Sequence, residues 1–268
     1  HEAYAAYKAT RQRMPDVLRT QFPYILAVVK ALGIPILQQD KEEADDIIAT
    51  LARRFKSMAK VIIISGDKDL MQLVDDSVIM WDTLKDQVYD REAVRAKFKV
   101  GPEYIADLLA IMGDSSDNIP GVPGIGEKGA VDLITRLGHL EEIIAQADAI
   151  PSEKQKKAIR ENIDLARLSL ALAHLDRDAD LDAGLDDLTL GVRDEERLAE
   201  LFQELEFKAL IADLGQAPAT VSHAPQGRIE YGCDPEIHGV AGYYPIPEIG
   251  SAVALPDVGG NTRPALPA

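Results

Sequence analysis

The chain of 268 residues is 46% hydrophobic, so its composition predicts a folded globular protein with one large or two small domains rather than a disordered chain. Its single cysteine excludes an internal disulfide framework and its longest apolar runs are too short to cross a bilayer, so we expect no membrane partner and a cytoplasmic location. The net charge of −16 argues against a nucleic-acid partner, but −12 of it lies in residues 176–268, which leaves −4 in residues 1–175.

The first part of the chain alternates helical and strand patterns. Apolar residues at helical spacing, among them Ile47, Leu51 and Phe55, predict an amphipathic helix, and the β-branched run Val61–Ile64 predicts a buried strand. Helices are predicted over residues 2–13, 15–33 and 42–58, and strands over residues 34–38, 60–65, 77–83 and 86–90. This order predicts an α/β fold with a mostly parallel central sheet that is flanked by helices.

The rest of the chain is predominantly helical until residue 214. Helices are predicted over residues 91–98, 102–113, 127–138 and 153–174, and one or two more are predicted within residues 194–214. Residues 215–268 contain 8 proline and 8 glycine residues, a share near that of low-complexity chains. We therefore expect an α/β core in residues 1–100, a helical subdomain in residues 101–214, and a linker or a truncated following domain in residues 215–268.

Seven carboxylates form three clusters at predicted ends of strands or helices. They are Glu43, Asp45, Asp46, Asp67, Asp69, Asp114 and Asp117. For each cluster taken alone a structural explanation is open, because acidic side chains favour the first turn of a helix and aspartate caps turns and short helices. Taken together, like charges that gather in one cleft repel each other and require cations.

The type of donor predicts which cation these carboxylates would bind. The chain has no Cys–His cluster with the spacing of a zinc site. Ligation by oxygen alone is typical of Mg²⁺ or Mn²⁺, and two such ions form the usual clamp for attack of water on a phosphodiester. The pattern therefore predicts a site for two or more Mg²⁺ ions, for which Mn²⁺ would substitute.

A glycine-rich loop follows Asp117, and two common phosphate motifs do not explain it. Gly124, Gly126 and Gly129 match G-x-G-x-x-G, but no strand precedes them as a dinucleotide fold requires. The Walker A motif requires a lysine where the chain has Glu127. What remains is a helix, a tight glycine turn and a second helix, which would present backbone N–H groups to a phosphate. A plain connection between two helices is the open alternative.

Three motifs carry a resemblance to a known family. They are EEADD at residues 42–46, ISGDKDLMQLV at residues 64–74 and MGDSSDNIPGVPGIGEKGA at residues 112–130. Together and in this order they resemble the 5′ nuclease (flap endonuclease) family, and most closely the 5′-to-3′ exonuclease domain at the N-terminus of bacterial DNA polymerase I proteins. YKATRQRMPDVLRTQ at residues 7–21 and ELEFKALIADL at residues 204–214 extend the resemblance over residues 2–213.

The resemblance implies a role for each motif. The seven carboxylates would be the metal ligands, some of them through water. Lys8 and Arg11 match basic residues that contact the cleaved phosphate, and they lie at i and i+3 of the predicted first helix; a solvated helix face is their alternative explanation. A helix–hairpin–helix-type (H3TH) motif that grips duplex DNA would comprise Gly121, Gly124, Gly126, Lys128 and Gly129.

The implied activity is metal-dependent hydrolysis of DNA and RNA primers, by a structure-specific 5′-to-3′ exonuclease or flap endonuclease in replication and repair. The implied partners are 5′-flap DNA, nicked duplex and RNA primer–DNA in the bacterial nucleoid, and a polymerase domain would follow in the same parent chain. Family members carry an aspartate-bearing strand ahead of the residue that matches His1, so the resemblance implies a chain truncated at its N-terminus. A catalytically incomplete fragment that only binds duplex DNA is the alternative.

Overall fold

A computed structural model describes Tyr4, residues 6–9, Arg11 and residues 13–214, and the statements below concern those residues. The predicted linker over residues 215–268 lies outside them. The chain divides into two compact units. The first unit comprises residues 1–13 and 39–181, and the second comprises residues 14–38 and 182–268, each so far as it is described.

Helices dominate the described residues. The α-helices are α1 Asp16–Ala31, α2 Ala44–Phe55, α3 Arg91–Phe98, α4 Ile105–Met112, α5 Glu127–Leu137, α6 Leu140–Ala145, α7 Glu153–Glu161, α8 Ile163–Ala173, α9 Glu195–Glu204 and α10 Lys208–Asp213. None of the described helices is long and apolar enough to span a membrane. The helix predicted over residues 153–174 is interrupted at Asn162, whose side-chain amide donates to the backbone oxygen of Ala158 at 2.8 Å and so competes with the helical backbone.

The first unit contains a three-stranded sheet. Its strands are β1 Val61–Ile64, β2 Val78–Asp82 and β3 Gln87–Tyr89, and they lie side by side in that order. β1 and β2 are parallel, with Val61 opposite Val78, whereas β2 and β3 form the predicted hairpin, with Met80 opposite Tyr89. The α/β class is confirmed, and the described sheet has one parallel and one antiparallel pair.

The core of the first unit surrounds α4. Leu108, Leu109 and Ile111 of this helix are at most 1% exposed, and a helix that is apolar on every side has to be covered on every side. The covering elements include α5, α8 and the 3₁₀ helix Lys68–Leu73, which follows β1. The loops that follow β1 and α4 are therefore anchored to the same core, and these loops carry two of the acidic clusters.

The second unit is helical. Leu198, Leu201 and Phe202 of α9 form its small core with the end of α1. The helix predicted over residues 15–33 is confirmed by α1. The strand predicted over residues 34–38 is wrong, because these residues form no strand. Ile34 and Ile36 remain 45% and 39% exposed, which shows that a short apolar run does not become a strand where no partner strand pairs with it.

The helix predicted over residues 2–13 is also wrong, since its described residues form turns and irregular chain. Lys8 has a left-handed φ of 57°, and its backbone N–H donates to the backbone oxygen of Asp117 at 2.9 Å. The side-chain amide of Asn118 donates to the backbone oxygen of Ala6 at 2.7 Å. These bonds to a distant loop replace helical ones, so Lys8 and Arg11 do not share a helix face.

Candidate active site

Two acidic loops are built in the same way. After β1, the side chain of Asp67 accepts the backbone N–H of Asp69 at 3.0 Å and begins the 3₁₀ helix that follows. After α4, the side chain of Asp114 accepts the backbone N–H of Ser116 at 3.0 Å. The backbones of Asp114 and Ile119 also exchange two hydrogen bonds, at 2.9 and 2.8 Å. The capping role that the sequence left open is therefore real for Asp67, and it leaves the other carboxylate oxygen of that residue for other partners.

These two loops border one cleft, which we call the carboxylate cleft. It is a cavity of about 520 Å³ that is lined by Asp67, Asp69, Asp114 and Asp117, so four of the seven predicted carboxylates meet there. Three of these four residues are buried: Asp69, Asp114 and Asp117. Burial of several carboxylates at one place requires compensation by cations.

Side-chain cations supply part of that compensation. Lys68 Nζ lies 2.7 Å from Asp114 Oδ2 and 3.8 Å from Asp69 Oδ1. Arg11 donates to Asp117 Oδ1 from Nη2 at 2.6 Å and from Nε at 3.2 Å. Burial alone would raise the pKa of Asp114. The pKa nevertheless lies below its usual value, because Lys68 contributes a hydrogen bond and a positive charge and Ser116 donates further hydrogen bonds.

Asp69 is the least compensated of these acids. Its Oδ1 is buried and has no hydrogen-bond partner. Burial raises the pKa of Asp69 to about 7; Lys68 lowers it, whereas the charges of Asp67 and Asp114 raise it further. A buried carboxylate oxygen that faces other acids and has no donor is a place where a bound cation would be stabilised.

The three carboxylates at the start of α2 lie outside the lining of the cleft. Glu43 is the residue before the helix and forms an ion pair with Lys8, whose ammonium is also 3.8 Å from Asp117 Oδ2. Burial raises the pKa of Asp45, and the charge of Asp67 raises it further, so Asp45 is electrostatically coupled to the cleft. Asp46 Oδ1 accepts the backbone N–H of Asp176 at 2.9 Å, which gives Asp46 a structural contact.

The donors of the carboxylate cleft fit a hard divalent cation, because they are oxygens and one of them is buried without a donor. Within the described part of the chain, however, no three acidic side chains are arranged so that they could hold one ion together. Lys8, Arg11 and Lys68 contact the carboxylates instead. Ligation of metal by all seven carboxylates stays a prediction.

Sequence reasoning missed three lysines that line the cleft. Lys68 lies between the two aspartates of GDKD, and this position could have identified it as a residue of the site. Lys85 also lines the cleft but pairs with Asp82 at 2.7 Å. Lys97 comes from α3, and no pattern in the sequence connects it with the acidic loops.

Lys97 differs from the other cations of the cleft. Its Nζ lies 4.5 Å from the centre of the Tyr89 ring and donates to Tyr89 Oη at 3.2 Å. Among the described residues, no carboxylate oxygen lies within the 4.0 Å of an ion pair with it. The aromatic ring orients this exposed ammonium without neutralising it, so its charge is available to an anion in the cleft.

The glycine-rich loop connects α4 to α5 and folds back on itself. Val122 N–H donates to the backbone oxygen of Ile111 at 2.8 Å. Gly121 has a φ of +65° and is buried, and a Cβ there would collide with the backbone of Gly113. Gly121 is therefore required for the fold of the loop itself.

The rest of the loop is presented to solvent. Gly124, Gly126 and Lys128 are exposed, Gly129 is half-buried, and Gly126 is the residue immediately before α5. A Cβ on Gly126 would meet no protein atom within 4 Å. The exposed N-terminus of α5 thus offers backbone N–H groups beside an open glycine surface, an arrangement that suits a phosphate.

Comparisons with known proteins show which sequences this chain is similar to. A family model described as the 5'-3' exonuclease N-terminal resolvase-like domain matches residues 1–99, and one described as the 5'-3' exonuclease C-terminal SAM fold matches residues 100–196. The 5'-3' exonuclease of Aquifex aeolicus is 38% identical over 212 residues, which cover 79% of this chain and 72% of that protein. DNA polymerase I of Bacillus caldotenax is 41% identical over 236 residues, which cover 86% of this chain and 27% of that protein. The chain therefore spans about a quarter of the length of the polymerases that it matches.

Solved structures of bacteriophage T5 proteins have a similar fold. T5 5'-exonuclease with bound zinc ions matches with a TM-score of 0.59 and 26% identity, over 75% of this chain and 78% of that one. The T5 flap endonuclease, in a pseudo-enzyme-product complex with DNA and metal ions, matches with a TM-score of 0.58 and 25% identity, over 76% of this chain and 79% of that one. Divalent metal ions and DNA are thus present in structures of similar fold.

Proposed function

Because the chain belongs to the 5'-3' exonuclease family, we propose that it hydrolyses phosphodiester bonds of DNA as a structure-specific 5′-to-3′ exonuclease and flap endonuclease. The observation that carries this proposal is the carboxylate cleft, in which four aspartates converge and one buried oxygen of Asp69 has no donor. The proposed substrates are 5′-flap DNA, nicked duplex and RNA primer–DNA, in the nucleoid of a bacterial cytoplasm. A polymerase domain in the parent chain, as in the polymerase relatives, is part of the proposal.

The proposed cofactor is Mg²⁺, in two or more copies, with Mn²⁺ as a substitute. Asp67, Asp69, Asp114 and Asp117 would hold it, together with Glu43, Asp45 and Asp46, some of them through water. The bound ions would activate the attacking water and stabilise the negative charge that develops on the phosphate. The oxygen-only donor set and the deficit of hydrogen bonds at Asp69 support this choice.

The cations around the cleft have separate tasks in this proposal. Lys8 and Arg11 lie against Asp117, so they would hold the acidic loop and contact the phosphate that is cleaved. Lys97 would bind a phosphate oxygen of the substrate, because its ammonium lines the same cleft and no acid of the described residues forms an ion pair with it. A charge-assisted hydrogen bond of this kind positions the DNA backbone without reading its sequence.

The loop of Gly121–Gly129 would grip the duplex away from the cleaved bond. Gly124, Gly126 and Lys128 lie on its exposed surface, and the N-terminus of α5 points its free N–H groups outward. Backbone N–H groups and a lysine bind phosphate oxygens regardless of base sequence. We therefore expect this contact to depend on salt and not on sequence.

The decisive experiment is cleavage of a 5′-labelled flap DNA with Mg²⁺ and with EDTA, by the chain and by its D114N variant. We expect discrete products with Mg²⁺ only, and loss of turnover without loss of DNA binding in D114N. Cleavage in EDTA, or unchanged turnover of D114N, would contradict the proposal. Binding of the flap without any cleavage by the unmodified chain would instead indicate a fragment that only binds duplex DNA.

A pair of glycine variants tests the loop. In G126A the added Cβ meets no protein atom, so the melting temperature should stay near that of the parent while duplex binding weakens by about tenfold. In G121A the Cβ meets backbone, so the melting temperature itself should fall. Unchanged duplex binding by a fully folded G126A would show that DNA does not approach this loop closely.

A further inference from the structure

A second cavity of the first unit lies apart from the carboxylate cleft and shares no lining residue with it. It has a volume of about 860 Å³ and lies between α2, α8 and the segment that follows α8. Four cationic side chains line it together with three acidic ones: Arg53, Lys56, Arg167 and Arg177, and Glu141, Asp176 and Asp178. We call this cavity the guanidinium pocket.

Three of these four cations are neutralised by acids. The ion pairs are Arg53–Asp178, Lys56–Asp75 and Arg167–Glu141. Arg177 is different, because no carboxylate oxygen among the described residues lies within 4.0 Å of its guanidinium. Two charges act on the pKa of the Arg177 guanidinium. Arg53 lowers it, and Asp75, the weaker of the two, raises it.

The guanidinium of Arg177 is also only partly hydrogen-bonded. Its Nε is buried without a partner, while its Nη2 donates to the backbone oxygen of Gln72 at 3.1 Å. Burial lowers the pKa of the Arg177 guanidinium, and the charge of Arg53 lowers it further. A half-buried cation with a buried, unsatisfied N–H destabilises the fold until a ligand supplies the acceptor and the opposite charge.

The segment that carries Arg177 is held in place. The side chain of Gln72, which is only 5% exposed, donates to the backbone oxygen of Ala173 at 3.0 Å and accepts from the backbone N–H of Leu175 at 3.2 Å. Thr50 of α2 accepts the backbone N–H of Ala179 at 3.0 Å. Both flanks of Arg177 are therefore bound, and its guanidinium is held by the hydrogen bond from Nη2 to Gln72, so binding of a ligand has less conformational entropy to remove.

We propose that the guanidinium pocket binds a phosphate monoester of nucleotide size, with the phosphate oxygens accepting hydrogen bonds from Nε and Nη2 of Arg177. The planar fork of arginine matches two oxygens of a phosphate. The cavity is far larger than a phosphate alone and falls in the size range of small-molecule sites. Leu73, Leu170 and Leu175 give it an apolar wall for the body of the ligand. This site is separate from the proposed nuclease activity.

Isothermal titration calorimetry with three probes tests this proposal. The probes are inorganic phosphate, thymidine 5′-monophosphate and thymidine, each titrated into the full chain in EDTA so that no divalent ion can bridge phosphate to the carboxylate cleft. We expect one phosphate or nucleotide to bind per chain, with the nucleotide binding more tightly, and thymidine not to bind. R177Q should weaken binding of both phosphates by at least about tenfold, the value of a lost hydrogen bond to a charged group.

Two further variants make the result decisive. Arg136 is exposed, pairs with Asp132 and does not line the pocket, so R136Q removes the same charge and should bind like the parent chain. R177K keeps the charge but loses the fork, so it should bind less tightly than the parent and supplies the answer if R177Q does not fold. Absence of saturable binding by the parent, thymidine binding as tight as that of its monophosphate, or parental affinity of the Arg177 variants would overturn the proposal.

Discussion

The carboxylate cleft and the guanidinium pocket each leave one buried polar atom unsatisfied, and the two atoms belong to groups of opposite charge. In the cleft, Arg11, Lys68 and Lys85 pair with acids, and Asp69 is left with a buried oxygen that has no donor. In the pocket, three acids pair with cations, and Arg177 is left with a buried nitrogen that has no acceptor. Among the described residues, these two atoms are the buried side-chain nitrogen and oxygen atoms without a hydrogen-bond partner.

The difference between the two sites indicates which ligand each would accept. A buried group that is left unsatisfied costs free energy, so it marks a position where the fold has not been optimised for stability alone. An acid of this kind is complementary to a cation, and a guanidinium of this kind is complementary to an oxyanion. The comparison therefore predicts that the cleft binds metal and that the pocket binds a phosphate monoester without metal, and each of the following experiments tests whether the two sites are independent.

The largest expected effect is on cleavage by D69N. Asparagine keeps the size of the side chain but removes the charge that would attract metal, so turnover on flap DNA should fall by about 10³-fold, which corresponds to several kcal/mol of electrostatic stabilisation. The assay is a rate measurement at saturating DNA and Mg²⁺. R177Q is the matched control and should cut at the parental rate. Equal losses in both variants would mean that the two sites are not independent.

The next effect is on stability in the absence of metal. Burial raises the pKa of Asp69 from 3.8 to about 7, so the unfolded chain ionises at lower pH than the folded chain. The free energy of unfolding in EDTA should therefore fall as pH rises between 3.8 and about 7 and change little above that, by at most about 4 kcal/mol from this group. Urea denaturation at several pH values measures this. D69N should flatten the curve, and an unchanged slope would show that Asp69 is not the unsatisfied acid.

A smaller effect distinguishes the two ligands directly. A ligand at 100 times its dissociation constant stabilises the folded state by about 2.7 kcal/mol. Mg²⁺ should raise the melting temperature of the parent and of R177Q but not of D69N. Phosphate in EDTA should raise that of the parent and of D69N but not of R177Q. A phosphate shift that persists in R177Q would remove the contrast between the sites.

The smallest effect concerns Lys97. Methionine keeps the stem of the side chain over Tyr89 but removes the ammonium, so K97M should raise the KM for flap DNA by about tenfold and change kcat less. K97R should restore most of the affinity. Lys99 is exposed and does not line the cleft, so K99M is the matched control and should behave like the parent. A fall in kcat with unchanged KM would assign Lys97 to the reaction step instead.

Much of this architecture could be predicted from local patterns. The helix over 42–58, the parallel strand over 60–65 and the hairpin that follows were predicted correctly, because amphipathic and β-branched patterns favour the same elements in most contexts. The predicted burial of that strand was wrong: β1 lies at the edge of the described sheet, and Ile64 is 65% exposed. The helix over residues 2–13 was wrong, because hydrogen bonds of Lys8 and Ala6 to the Asp117 loop override local preference. Such bonds join residues about 110 positions apart, and no local pattern contains them.

The residues of the candidate site were likewise predicted only in part from the sequence. The motifs of the sequence identified every acid that lines the carboxylate cleft, since the order of residues in a loop is a local property. Lys97 and Arg177 were not identified, because each depends on what packs around it. Lys97 lies against an aromatic ring, and no acid of the described residues lies within 4.0 Å of the Arg177 guanidinium.

Local patterns were enough to predict the α/β class and an acidic site, because periodicity and the kinds of residue in a motif are local properties, and the resemblance of three motifs to known proteins was enough to predict the family. Only the tertiary structure decided which carboxylates meet, which cations oppose them and which two polar atoms stay unsatisfied. The physical reason is that burial and distance set the strength of a charge, and both are properties of the packed chain.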